Sequence, residues 1–486
     1  MKAAQAYDYD TFRLPLIGSQ LNREASSAKD QIFYNVMVDA IPVPLTDNKL
    51  VGEKMFLVKR GGFTASTTVV GGGGTGRGVY YWGLTGNTYS VIGNTLYSGS
   101  TALQTINSST GTIVWTEDTG TNQVLLVGDG TQLWSIATNN TVTQITSANL
   151  PPTFAYPVSM DAYIFLLQPA TDVIWNSDVD ALTFTATSFL SKEMYPDNVV
   201  ALARQLNYIV AFGTYSMEFF YDNANASGSP LTRNESIAIK VGCAAPYAVA
   251  QADNRMVWVA QSNNGNQSVW MCAGLSSAKV STAFVDRIIF NEGSTLANAT
   301  ATICKHKGHT LYLLNLSTNN RTLVYDLDTN LWFDWSHNNS GVHNMLPYTY
   351  MTQGANGQIL ALHNTNGIIY QLAQNVYQDD LAPIYVEIVT RRLDFDETRQ
   401  KRFLRVELIG DQQSTGTVTL DWSDDDYTTF GVVQPARTLD LTGTVTVRPM
   451  CKSIGRHRRP AFRLQHTSNG DFRAEALEFD YSMGSH

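Results

Sequence analysis

The chain has 486 residues, 43% of them hydrophobic and 15% charged, with a formal net charge of −9 and a pI near 5.4. That length suffices for two or three cored domains, the composition excludes wholesale disorder, and the acidic balance argues against general affinity for a polyanion such as DNA. The 36 glycines, 23 tyrosines and 20 phenylalanines favour strands joined by tight turns.

The opening MKAAQAYDYD has no apolar core of signal-peptide length, and no run approaches the roughly 20 apolar residues of a membrane span. No membrane insertion is expected, and folding in a cytoplasm is. Residues 1–65 carry little repeat pattern, and Pro42 and Pro44 each remove a backbone donor. This stretch predicts an extended arm, with residues 34–38 and 56–60 as strands edging onto a sheet supplied later. The glycine run at 71–78, GGGGTGRG, lacks the Gly-Lys-Ser/Thr of a phosphate loop and leads into Val-Tyr-Tyr-Trp, a strand. It reads as a hairpin loop.

Residues 121–146, TNQVLLVGDGTQLWSIATNNTVTQIT, show the unit that much of the chain repeats loosely. An apolar run meets Gly-Asp-Gly, an aromatic strand follows, and Asn139-Asn140 turns into a third strand, which predicts an antiparallel meander. Similar turns stand at Asn87, Gly130, Asp161, Asn207, Asn254, Gly308 and Gly357, separated by 31 (Gly130 to Asp161) to 54 residues (Asn254 to Gly308). Such spacing brackets the ~40–50 residues of a four-stranded propeller blade. Phe284, Val285, Ile288 and Ile289 fall at helical spacing and predict a short helix over 281–291. After Leu372 the pattern changes to alternating strands at 384–389, 403–408, 417–422, 444–448, 461–465 and 476–481, as in a β-sandwich. The expected fold is therefore all-β: an N-terminal arm with edge strands (1–65), a degenerate six- or seven-bladed β-propeller (66–373) and a C-terminal β-sandwich domain (374–486).

No catalytic constellation stands out. Cys243, Cys272, Cys304 and Cys451 lie far apart, and His306, His309, His337 and His343 show no metal-ligand spacing, so no metal and no cofactor are expected. Residues 423–430, Ser-Asp-Asp-Asp-Tyr-Thr-Thr-Phe, resemble a degenerate Asp-box, whose Ser and Asp brace a hairpin turn. Asp394, Asp396 and Glu397 sit among Arg391, Arg392, Arg399, Lys401 and Arg402, either a carboxylate pair for acid–base work or mixed charge on an exposed connection. The densest basic patch is Gly455-Arg456-His457-Arg458-Arg459, with subunit contact, a solvated turn and DNA contact all open. On a strand, Arg456 and Arg458 would share one face, and Arg459 would join His457 on the other.

Residues 34–37 (YNVM), 57–63 (LVKRGGF), 77–80 (RGVY), 208–220 (YIVAFGTYSMEFF) and 453–464 (SIGRHRRPAFRL) together resemble the tail hub, or packaged-DNA stabilisation (nozzle) protein, of short-tailed bacteriophages. The resemblance implies a homo-oligomeric ring, a hexamer, below the portal and its adaptor (head–tail connector) ring. Such a ring continues the DNA channel, retains packaged genome without binding the passing duplex specifically, and anchors tail spikes, fibres or a needle. It implies a non-enzymatic part of the virion tail, assembled in the host cytoplasm. From the residues themselves, the basic patch in an acidic chain makes Arg456, Arg458 and Arg459 the expected subunit contact, and the proline-interrupted, partly apolar arm is expected to reach a neighbour or the adaptor. The alternative is a propeller-type glycan-binding protein or glycoside hydrolase. A sialidase-like site would need three central arginines, and Arg204, Arg233, Arg255, Arg287 and Arg321 lack a matched acid and tyrosine set.

Overall fold

The repeat read at 121–146 folds as a sheet in which Val114–Glu117, Leu125–Gly128, Leu133–Ile136 and Val142–Ile145 pair antiparallel in that order. Its turns have local causes. Gly130 and Asn140 take positive φ (90° and 67°), and the Asp129 carboxylate accepts from the backbone N–H groups of Thr131 and Gln132 at 2.9 and 2.7 Å. Alternation then decides the packing. Leu125, Val127, Trp134 and Ile136 join Trp82, Tyr89, Val91 and Leu96 of the preceding sheet, while Leu126, Leu133 and Ile145 join Ile164 and Leu166 of the following one. Each such buried side chain contributes about 1.5–3 kcal/mol.

The computed structural model describes residues 9–17, 32–41, 54–66, 73–118, 120–225, 227–339, 341–395, 397, 399–413, 415–432, 435–442 and 448–484. They fall into two compact units, one from residues 65–322 and 345–372, the other from residues 1–64, 323–344 and 373–486. Pro42, Pro44, Gly71, Gly72, Asp396 and residues 444–447 lie outside the described residues.

In the first unit the same sheet recurs around an axis. Described strand groups open with Gly76–Trp82, Val114–Glu117, Ala155–Met160, Val199–Gln205, Gly242–Cys243 with Ala250–Ala252, Thr300–His306 and Tyr348–Gln353, each followed by antiparallel partners. This is a β-propeller of seven blades among the described residues. Ser66 N–H donates to Ile369 O at 2.9 Å, so the start of the unit docks on the blade at its end. The expected helix is Ala283–Glu292, capped by Thr282, whose side chain accepts from Val285 N–H. Its last residue, Glu292, accepts from the N–H groups of Thr318 and Asn319 at 2.6 and 3.0 Å; burial would raise this carboxyl, but those bonds hold it below its usual range.

The second unit contains a sheet ordered Val36–Ile41, Lys54–Lys59, Arg473–Met483, Lys401–Gly410, Met450–His457. A further series runs Leu331–Trp335, Ile32–Tyr34, Val386–Val389, Ala461–His466, Thr417–Ser423, Arg437–Asp440. Their faces meet through Phe403 and Phe479 on one side and Phe462 on the other, with ring centroids 4.8–5.9 Å apart and all three side chains buried. One expectation is corrected here. Asp10–Pro15, read as part of an extended arm, is a strand paired along its whole length with Arg473–Met483. Alternation explains it: Leu14 is buried, while Thr11 and Arg13 on the other face bond Asp480 and Glu475 at 3.1 and 2.8 Å.

Cys243, Cys272 and Cys304 are buried free thiols and Cys451 is half-buried. Burial pushes Cys243 and Cys304 up to about 12 and Cys451 to about 11, which makes them poor nucleophiles.

Candidate functional site

In each described sheet of the propeller unit the blade-opening strand is terminal, with a partner on one edge only. These edges surround a cavity of about 630 Å³ lined by residues of all seven blades, among them Tyr80, Trp115, Tyr156, Arg204, Tyr247 and Thr302. Close approach at its wall requires glycine: a Cβ on Gly78 would stand 2.9 Å from Trp115 Nε1 and 3.0 Å from Ile113 Cβ.

Two aromatic pairs furnish the cavity. Tyr80 stacks on Trp115 (centroids 6.0 Å, 18°) and Tyr156 on Tyr247 (5.5 Å, 28°). The Tyr80 hydroxyl donates to Glu117 Oε1 at 3.0 Å, and burial together with that carboxylate raises its pKa well above the usual range. Burial does the same to Tyr156, aided by Tyr247 and Cys243. Trp115 Nε1, Tyr156 Oη and Thr302 Oγ1 are buried without a well-formed hydrogen bond among the described residues. Sequence reasoning assigned none of these residues to a site, although Tyr80 closes the motif at 77–80. The signal available was positional: each lies on or beside the first strand of its cluster.

Of the motifs that carried the sequence resemblance, 77–80 places Gly78, Val79 and Tyr80 on the cavity wall, whereas its Arg77 and the Arg60 of 57–63 build the fold. Arg60 is fully buried and every donor of its guanidinium is used. Nε donates to Asn35 Oδ1 (2.8 Å), Nη1 to Gly61 O and Asp379 Oδ1 (both 2.9 Å), and Nη2 to Ser336 O (3.1 Å) and Asp379 Oδ2 (2.5 Å). Asn35 in turn donates to Ser336 Oγ and Tyr385 O at 3.0 and 2.8 Å. Residues far apart in sequence are thereby fixed within one unit. Arg77 in the propeller unit is 1% exposed and gives its donors to Gly93 O, Ser108 O and Oγ, Thr110 O and Gly111 O at 2.5–2.9 Å. Ser108 Oγ relays to Asp129 Oδ2 at 2.7 Å.

The basic patch behaves differently. Arg456 lies on Met450–His457 opposite Arg402, and Arg458 and Arg459 follow in a bend, all four exposed. His457 between them is buried, its Nδ1 2.6 Å from Asp424 Oδ2 and its Nε2 3.1 Å from Ile454 O. Arg459 Nε lies 3.6 Å from Asp394 Oδ2, whereas Arg402, Arg456 and Arg458 form no ion pair among the described residues. The Asp-box-like turn is a brace: Asp425 accepts from Ser423 Oγ (2.7 Å), Thr429 N–H (2.9 Å) and Thr429 Oγ1 (2.5 Å), bonds that hold its carboxyl well below the usual range. Glu397 pairs with Arg399 and Asp394 with Arg459, mixed charge on a connection. No group of three or more His, Cys, Asp or Glu among the described residues is placed to hold a metal ion.

A family profile described as "Bacteriophage P22 Gp10, beta-propeller" matches residues 35–377. Among solved structures, the N-terminal domain of Nup159 is similar at 9% identity and a TM-score of 0.39 over 70% of this chain and 98% of that one. The Neurospora crassa Pan2 WD40 domain is similar at 11% identity and a TM-score of 0.36 over 71% of this chain and 88% of that one. A comparison with curated proteins gives no match.

Proposed function

This chain belongs to the phage-stabilisation β-propeller family of bacteriophage P22 Gp10, and from that premise we propose that it is the tail hub, or nozzle, of a short-tailed phage virion. Six copies form a closed ring below the portal and adaptor. The ring extends the DNA channel, retains packaged genome and gives tail spikes, fibres or a needle their attachment. Its role is structural, without catalysis, and it assembles in the host cytoplasm before joining the virion tail.

The observation that carries this reading is the profile match, which spans most of the chain. Two features support it. The net charge of −9 suits a channel wall that repels a polyanion, so duplex DNA passes without lodging. Arg402, Arg456 and Arg458, exposed and without an ion pair among the described residues, suit contact with carboxylates of an adjacent copy, where guanidinium forks orient as well as attract. Arg459 completes the patch, its own pull shared with Asp394.

The test is assembly of particles lacking this chain. They are expected to package DNA and then lose it, and purified chain added back is expected to restore retention. Particles that keep their DNA and infect without it would defeat the proposal.

A further inference from the structure

We infer that the axial cavity of the propeller unit is a binding site for a neutral saccharide. The inference stands apart from ring assembly, because every residue it uses belongs to one propeller unit. Its volume, about 630 Å³, falls within the ~300–1,000 Å³ of small-molecule sites.

The walls set the ligand chemistry. Seven blade-opening strands are terminal in their sheets and line the cavity, so backbone groups of their outer edges stand at its wall, apart from Tyr81 N–H, Ser159 O and Arg204 O, which bond side chains of neighbouring blades. A peptide would satisfy one such edge by adding a strand and leave the rest unmet. A sugar ring radiates hydroxyls that donate and accept in every direction. The flat faces of the Tyr80–Trp115 and Tyr156–Tyr247 pairs match the apolar faces of that ring. Among the described residues, Trp115 Nε1 and Thr302 Oγ1 are buried polar atoms without a hydrogen-bond partner, and Tyr156 Oη, on a side chain 8% exposed, has only the Tyr247 hydroxyl beside it. Charge argues against phosphate or another anion. Glu117 and Arg204 are the charged side chains of the lining, one of each sign, and the Glu117 carboxylate can accept from a hydroxyl as it does from Tyr80.

The experiment uses the full-length chain and seven probes: glucose, galactose, mannose, rhamnose, N-acetylglucosamine, maltotriose and chitotriose. Saturation-transfer NMR and tryptophan fluorescence read binding, with at least one probe expected to bind with a millimolar Kd or tighter. The double variant Tyr156→Phe with Thr302→Val keeps the stacked ring and a strand-forming side chain. It should weaken that binding about tenfold or more while Tm stays close to the parent's, because Thr302 Oγ1 bonds nothing among the described residues and Tyr156 Oη meets only the Tyr247 hydroxyl. Arg456→Ala, far from the cavity in sequence and in the other unit, should bind as the parent does. The inference fails if no probe binds at about 10 mM, a concentration that would reveal even millimolar affinity. It also fails if the double variant binds unchanged, if its Tm falls, or if inorganic phosphate or triglycine occupies the cavity in place of every sugar.

Discussion

Arg60 and Arg77 on one side, and Arg402, Arg456 and Arg458 on the other, are the same side chain put to opposite uses. The first two are buried, and every guanidinium donor ends on an oxygen of their own unit. The other three project from the surface without an ion pair among the described residues, two of them facing each other across paired strands. A buried guanidinium must be fully bonded because desolvation of its charge is otherwise uncompensated, whereas an exposed one can wait for a partner at little cost. Sequence proximity does not separate these roles; burial does.

The comparison breaks most visibly at Arg60. Arg60→Ala leaves Asp379 buried with its main partner gone and should cost about 3–5 kcal/mol, read as a fall in the denaturant midpoint of its unit. Lysine should not rescue it, since a point charge cannot make the bidentate contact and reach Asn35 and Ser336 as well. A loss under about 1 kcal/mol would mean that the Arg60–Asp379 pair does not hold these distant segments together.

Next comes a buried base with no such complement. His466 stacks on Phe472, neither ring nitrogen has a hydrogen bond among the described residues, and burial, with Lys59 nearby, lowers its pKa to about 3. The folded chain therefore refuses a proton that the unfolded chain takes below its usual 6.5. Stability from this group is complete above pH 6.5 and is lost as pH falls toward 3, amounting to about 3 kcal/mol by pH 4. His466→Phe should flatten that part of the stability–pH curve, and an unchanged slope would contradict it. Lys59, lowered to about 7 chiefly by burial and then by Arg60, works over a higher range. The unfolded chain holds that proton up to 10.5, so stability should rise between pH 7 and 10.5, and Lys59→Met should remove the rise.

Arg77→Met should cost less than loss of Arg60, about 1–3 kcal/mol, because it strands carbonyl oxygens but no directly paired carboxylate. Thermal melting of the propeller unit would measure it. The smallest effect on the fold belongs to the exterior. Arg456→Ala with Arg458→Ala should change stability by less than about 0.5 kcal/mol yet shift a ring toward smaller species at moderate salt. A large drop in melting temperature with an intact ring would reverse the roles assigned to the two sets.

Much of the fold was legible because local chemistry and tertiary packing agree. The Gly128-Asp129-Gly130 and Asn139-Asn140 turns, the helix at Ala283–Glu292 and the late strands at Ala461–His466 and Arg473–Met483 all follow from turn residues and periodicity. Asp10–Pro15 was not legible, since six residues alternate too briefly to declare a strand until Arg473–Met483 lies beside them. Arg456 and Arg458 were expected on one face of a strand, but the strand ends at His457, so Arg456 is exposed on the strand and Arg458 in the bend that follows. The cavity was least visible of all. Tyr80, Trp115, Tyr156 and Thr302 converge only because separate blades close around an axis, and no spacing along the chain encodes that meeting. Residues 323–344 are similar: their strands alternate as blade strands do, yet they group with residues 373–486.

Native mass spectrometry of the full chain at tens of micromolar, alone and with the proposed adaptor-ring partner, tests ring assembly. A closed assembly whose mass is a whole multiple of 53.6 kDa is expected, with six copies the expected number, and with its dissociation by Arg456→Ala with Arg458→Ala. A 53.6 kDa monomer under every condition, with the adaptor present, would contradict it.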